Sequence, residues 1–296
     1  MSNEFWAELS GVKKRFGKTV ALDGLDLQVR PGELFSILGP NGAGKSTAIS
    51  LLLGLLKPDA GAARLFAMSP FRVEARRRVG VMMQEVTLAP ELRVREHVAL
   101  VASYYPDPFT PAEAMELTNI SSLASRPYGK LSAGQKRQVQ FTMAVCGRPK
   151  LLFLDEPSVG LDVHARETMW ATLRQLVHNG SSIVLTTHYL EEAESLSNRV
   201  AVLNKGRLIA SGTVNEIRAL VVRKHITCST ALAADQIAAW PDVETVTRDQ
   251  QRLQISTSNS EAVVRRLLAA DSNLQELEVR RAGLAEAFTE LTQEAA

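Results

Sequence analysis

An α/β protein built on a parallel central sheet, with a small α+β unit after it, is the fold class this 296-residue sequence predicts. Three observations predict it. A strand-length apolar run, Leu34-Phe35-Ser36-Ile37-Leu38, leads into a glycine-rich turn and then into the helical text Ala48-Ile49-Ser50-Leu51-Leu52-Leu53. A second run, Leu151-Leu152-Phe153-Leu154, ends in Asp155-Glu156, and a third, Ser181 to Thr187, ends at His188. Runs this apolar suit strands buried on both faces, as parallel sheets require. Ligands of such sheets sit beyond the carboxyl ends of the strands, where these polar residues fall.

The turn after the first run is Gly39-Pro40-Asn41-Gly42-Ala43-Gly44-Lys45-Ser46-Thr47, which fits G-x-x-x-x-G-K-[ST], the phosphate-binding P-loop. Its glycines let backbone N–H groups curl around a triphosphate, and the helix that follows offers its positive end to the anion. Lys45 is placed to reach the β- and γ-phosphates, and the Ser46 hydroxyl to ligate Mg²⁺. The alternative is a glycine turn before an ordinary core helix; Gly54 would stop that helix, with Pro58 beyond.

Ahead of the loop, short alternating bursts between Phe5 and Val29 predict antiparallel strands parted by turns at Phe16-Gly17 and Asp23-Gly24. Phe16 is either a ring for stacking on adenine or a core aromatic. Beyond the loop, Ala62–Phe66 reads as a strand, Phe71–Arg78 as a helix, and Val79–Met83 as a buried strand that delivers Gln84 to the carboxyl end of a central strand. A solvated loop glutamine is the other reading. Helices over Val94–Tyr104 and Pro111–Thr118 are parted by Tyr105-Pro106-Asp107-Pro108. Leu131-Ser132-Ala133-Gly134-Gln135-Lys136-Arg137-Gln138 opens a helix to Val145, with Ser132 as either its N-cap or part of an anion site.

Asp155-Glu156 is the second strong signal. Paired acids at the end of a buried strand are costly unless a cation offsets them. Downstream of a P-loop they form a Walker B pair, Asp155 for Mg²⁺ and Glu156 to activate water. His188 is the one histidine that follows a buried-type strand; His97, His164, His178 and His225 read as surface residues. A hairpin, Arg199–Leu203 and Arg207–Ser211 about Asn204-Lys205-Gly206, precedes a helix from Thr213 to Val221 that closes a first domain, 1–222. Residues 223–296 then run β-α-β-β-α-β with a trailing helix, around a polar turn Arg248-Asp249-Gln250-Gln251, the order of a ferredoxin-like unit.

Composition narrows the partners. A formal net charge of +2 gives no bulk electrostatic partner, and no nucleic acid is expected. Arg72, Arg76, Arg77 and Arg78 read as a solvated helix face. Two distant cysteines, Cys146 and Cys228, fit a reducing compartment without a disulfide or zinc site. Met1 to Trp6 lacks the pattern of a signal peptide, and the longest apolar run, Ala48–Leu56, is too short to cross a bilayer.

Over residues 4 to 222 the chain resembles the nucleotide-binding subunits of ABC transporters. Five motifs fall in that family's order: Walker A at Gly39–Thr47, Gln84 at the Q-loop, Leu131–Gln135 at the signature, Asp155-Glu156 in Walker B and His188 at the switch. Gly160-Leu161-Asp162 resembles the D-loop. The resemblance implies an ABC-type P-loop NTPase with an antiparallel β subdomain, a RecA-like core and a helical subdomain. It also implies ATP and Mg²⁺ as cofactors, with Gln84 sensing the metal and the attacking water. Glu156 would be the base and His188 a γ-phosphate contact, with Phe16 in the adenine-stacking position. Ser132, Gly134 and Gln135 would bind ATP held by a second subunit, in a homodimer that drives a separate permease from the cytoplasmic face of the membrane. The segment Val86-Thr87-Leu88-Ala89-Pro90 would help form the permease's docking groove. Ala133 departs from the usual Leu-Ser-Gly-Gly-Gln and implies reduced turnover. The tail resembles those of bacterial exporter ATPases and suggests a dimerising or regulatory module. A soluble ABC-type ATPase acting on DNA, ribosomes or cofactor assembly is the alternative.

Overall fold

The computed structural model describes residues 5–220, 224–249, 252–281 and 283–294. The readings that touch Met1–Glu4, Val221, the 222/223 boundary and Gln250-Gln251 lie outside them. The chain divides into two compact units, Met1–Thr213 and Val214–Glu294.

The first unit opens with two long antiparallel strands, β1 (Ala7–Phe16) and β2 (Thr19–Val29), joined by a turn at Gly17. The turn expected at Asp23-Gly24 is instead a bulge. Val12 pairs with Leu25 and Lys13 with Asp23, which leaves Gly24 as the extra residue that bends β2 without ending it. After β3 (Leu34–Leu38) and α1 (Lys45–Leu52), β4 (Ala60–Leu65) adds to the far edge of β1. A short α2 (Val73–Arg76) leads to β5 (Val79–Met82). The four arginines of the cluster are exposed, as expected, and one of them has a structural task besides: Arg76 donates to the carbonyls of Gly54 and Pro70, tying down the exit of α1.

Next come α3 (Val94–Ala102), α4 (Pro111–Leu117) and α5 (Ala133–Val145), which share a helical core of Val94, Val98, Ala114, Met115, Tyr128 and Val139. β6 (Leu151–Asp155), α6 (Val163–His178), β7 (Ser182–Thr186), α7 (Leu190–Leu196), β8 (Arg199–Asn204) and β9 (Arg207–Thr213) complete the unit. Its main sheet runs β5-β6-β7-β3-β8-β9, parallel except for β9. β5 is therefore an edge strand, and Gln84 follows an edge where a central strand was expected.

Alternation along the strands decides the two cores. Phe35, Ile37, Phe153 and Val184 face α1 and the β1–β2–β4 sheet, while Leu34, Leu152, Leu154, Ile183 and Leu185 face Phe141 of α5 and Trp170 and Leu173 of α6. Both faces are covered, which is why these strands read as unbroken apolar runs.

The second unit begins with α8 (Val214–Ala219), a helix the sequence had attached to the first. β10 (Lys224–Ser229), α9 (Ala234–Ala238), β11 (Val243–Asp249), β12 (Arg252–Thr257), α10 (Ser260–Ala270), β13 (Gln275–Arg281) and α11 (Leu284–Glu294) follow. The sheet order β11-β12-β10-β13, all antiparallel, has the ferredoxin-like arrangement. Ile226, Cys228, Leu253, Ile255, Val263 and Leu267 form its core.

Candidate functional site

The P-loop is shaped by what it cannot accommodate. Gly44 has φ +104, and a Cβ there would lie 2.7 Å from the Ala21 carbonyl oxygen; a Cβ on Gly39 would lie 2.5 Å from that of Leu203. Strands β2 and β8 thus press on the loop, and Gly206 N–H closes it with a 3.1 Å bond to the Ala43 carbonyl. Pro40, Asn41 and Gly42 stand exposed at its tip and Ala43 is buried beneath. Ser46 is exposed and Thr47 half-buried on the first turn of α1.

Lys45 is buried, and its Nζ donates to the carbonyls of Gly39 (2.7 Å) and Pro40 (3.2 Å). Burial pulls its ammonium below the usual lysine range, opposed by the charges of Glu156 and Asp155. A buried cation bonded only to neutral carbonyls, beside a cradle that a Cβ would fill, fits an anionic ligand.

β3, β7 and β6 are neighbours, so their carboxyl ends converge. Asp155 is buried and accepts from the Thr186 hydroxyl. Glu156, also buried, has φ +51; its N–H donates to the Thr186 carbonyl at 3.0 Å. Its Oε2 lies 2.6 Å from Nδ1 of the exposed His188. The Asp155 carboxylate and the exposed Ser46 hydroxyl are hard oxygen donors of the kind a Mg²⁺ takes, and they fit that ion.

The other expected residues stand apart. Ser132 is the N-cap of α5 in a full capping box: Gln135 N–H donates to its Oγ (3.2 Å) and its own N–H to Gln135 Oε1 (3.1 Å). Gly134 lies against the Gly160 carbonyl, where a Cβ would approach within 3.1 Å. Gln84 is exposed at the exit of β5. Phe16 is 48% exposed at the end of β1, with Lys14 Nζ 5.6 Å above its ring. An aromatic exposed this far is no core residue.

Sequence reasoning passed over two groups. Arg137, one turn into α5, is a half-buried guanidinium bonded to the exits of both β5 and β6. Its pattern signal, a cation amid otherwise helix-ordinary text, is faint. Glu192 of α7 is fully buried and accepts from Trp170 Nε1 at 3.0 Å; its burial, and behind that the nearby Glu156 charge, raises its carboxyl above the usual range, although Thr187, Trp170 and Ser158 beside it pull the other way. His97 is the remaining correction. It is buried in the helical core, its Nε2 2.9 Å from the Ala89 carbonyl and its ring edge-on to Tyr128, because the loop before α3 folds back over it.

Fold and site together define a P-loop ATPase. Residues 22–159 match the family model described as ABC transporter. The Nod factor export ATP-binding protein I of Burkholderia thailandensis is 44% identical over 208 residues, 68% of each chain. Its counterpart in Rhizobium sp. (strain N33) is 39% identical over 229 residues, 75% of this chain and 74% of its own. Among solved structures, an ATP-binding subunit of an ABC transporter aligns over 73% of this chain and 92% of its own, with TM-score 0.68 and 27% identity. A dimeric bacterial ABC transporter cassette aligns over 70% and 98%, with TM-score 0.64 and 25% identity. The chain belongs to the ABC transporter family: it is an ATP-binding subunit, and an ATPase.

Proposed function

We propose that this subunit works as half of a head-to-tail homodimer that hydrolyses ATP to drive a separate membrane permease, in the direction of export. One observation carries the dimer: Lys45, Asp155, Glu156 and His188 converge, while Ser132 and Gly134, the other expected ATP contacts, sit at a separate helix start. A dimeric cassette among the structural relatives supports this, and the export direction rests on relatives named for Nod factor export. Among the described residues no helix is long and apolar enough to cross a membrane, which is consistent with attachment through a permease at the cytoplasmic face.

In this reading the P-loop N–H groups from Gly39 to Thr47 and the Lys45 ammonium hold the β- and γ-phosphates, and Phe16 stacks on the base. Mg²⁺, when bound, neutralises charge developing on the phosphates; Ser46, Asp155 and Gln84 would hold it. Glu156 takes the proton of the attacking water, and His188, anchored to Glu156 through Nδ1, turns its other ring nitrogen to the γ-phosphate. Ser132, Gly134 and Gln135 close over the nucleotide of the partner subunit. Closure on ATP and reopening after hydrolysis would bias the permease between two states. The second unit, read as an accessory domain, would dimerise or regulate.

Gentle detergent extraction of the tagged chain from its native membranes, followed by peptide identification of what co-purifies, tests this. A multi-span membrane protein is the expected companion. Recovery only in the soluble fraction, with ribosomes, nucleic acid or assembly factors, would remove the transport reading and leave the ATPase.

A further inference from the structure

Arg137 joins two strand exits that no other side chain bridges among the described contacts. Its Nη1 donates to the carbonyls of Met83 and Gln84, each at 3.1 Å, where the chain leaves β5. Its Nη2 donates to the carbonyls of Asp155 (3.2 Å) and Glu156 (2.5 Å), where the chain leaves β6. Each nitrogen thus serves one strand, a division that a rigid planar fork allows and a single ammonium does not. Gln140, one turn on, accepts from Nη1 at 3.1 Å and is itself anchored to the Tyr128 hydroxyl, which fixes the plane of the guanidinium.

The consequence falls on Glu156. Its left-handed backbone is unfavourable for a side chain with a Cβ and persists only if its surroundings hold it. Thr186 fixes its N–H, and Arg137 fixes its C=O. Arg137 also rides on the helix that Ser132 caps, so a tilt of α5 is passed directly to the main chain of Glu156 and Gln84.

We propose that Arg137 is a positioning residue for hydrolysis: it fixes the main chain of Glu156 and Gln84 and links both to the signature helix of their own subunit. This rests on the functional reading above, with Glu156 as base. The guanidinium spends its hydrogen bonds on four main-chain carbonyls and Gln140, so its removal should lower turnover without weakening ATP binding.

The test compares the full-length chain with Arg137→Ala and Arg137→Lys. It measures phosphate release against ATP concentration, nucleotide bound per chain with a fluorescent ATP analogue, and thermal unfolding. The expected result for Arg137→Ala is a fall in kcat of about tenfold or more with KM within about threefold. Nucleotide bound per chain should equal that of the unchanged protein, which excludes a misfolded fraction as the cause. Arg137→Lys, able to serve one exit at a time, should fall between the two. Folded Arg137→Ala with kcat within about twofold of the unchanged chain, or with kcat lost only in step with bound nucleotide, would overturn the proposal. Should Arg137→Ala not fold, Arg137→Lys decides on the same two criteria. An unchanged chain that hydrolyses no ATP would bring down the functional reading and this proposal with it; an active one matched by Arg137→Ala removes only the role of Arg137.

Discussion

The carboxyl edge of the main sheet and the start of α5 carry the two halves of the expected ATP machinery, and they are built in opposite ways. At the sheet edge the functional groups lean on each other: Glu156 on His188, Asp155 on Thr186, and Lys45 in the field of both acids. At the start of α5 the groups are satisfied locally, by a capping box and a glycine contact. The first arrangement is held by bonds among its own side chains. The second keeps a helix terminus in order and presents it outward, as suits a surface that meets its ligand from another molecule.

Four changes would break or sharpen that contrast, from the largest effect to the smallest. Glu156→Gln removes a proton acceptor and keeps the shape, so phosphate release should fall by about 10²–10⁴-fold while ATP still binds. In the presence of ATP the variant should elute as a dimer in size-exclusion chromatography; a strictly monomeric variant with Mg-ATP bound would refute the shared site. Ser132→Ala acts on the other half. Loss of one hydrogen bond to a charged phosphate corresponds to about 10- to 100-fold in turnover, whereas ATP affinity of the isolated chain should hold, since the P-loop is untouched. Loss of the N-cap should also lower helix stability by about 1 kcal/mol, readable in a thermal melt.

Glu192→Gln tests the support behind the sheet edge. The folded chain holds this proton to higher pH than the unfolded chain does, so native stability falls as pH rises from the ordinary glutamate range through the raised value. The glutamine variant should show a flatter curve of melting temperature against pH across that window; an unchanged curve would place the dependence elsewhere. Ala133→Gly is the mildest. Relief of a methyl beside the expected phosphate position should raise turnover by no more than about threefold, and no change at all would show that the methyl does not crowd it.

Much of this was readable in the residues, for reasons that differ by element. The strand ends Leu38, Asp155 and Thr186 fall where the apolar runs stop, because burial on both faces leaves the sheet interior no other text. Ser132 read as a helix cap because its type and its spacing to Gln135 specify one. What escaped depends on neighbours far away in sequence. Asp23-Gly24 carries turn chemistry, but pairing with Val12 and Lys13 carries the strand through it. Gln84 follows a strand that looks central until sheet order puts it at the edge. His97 is a polar type with an exposed expectation, buried where the preceding loop brings the Ala89 carbonyl to its ring. Arg137 belongs with these, since all its partners but Gln140 are main-chain atoms, which leave no mark in the pattern.

The position of β3 has a consequence for synthesis on the ribosome. All five of its residues are buried, yet its partners β7 and β8 are made far later; Gly32 and Ser182, bonded at its entrance, are 150 residues apart. At about 5–20 residues per second, the nascent chain spends on the order of ten seconds or more with this greasy segment lacking both flanks. A chaperone that shields apolar stretches early would find its target there, and nucleotide could not assist folding until Gly206 has emerged to close the loop.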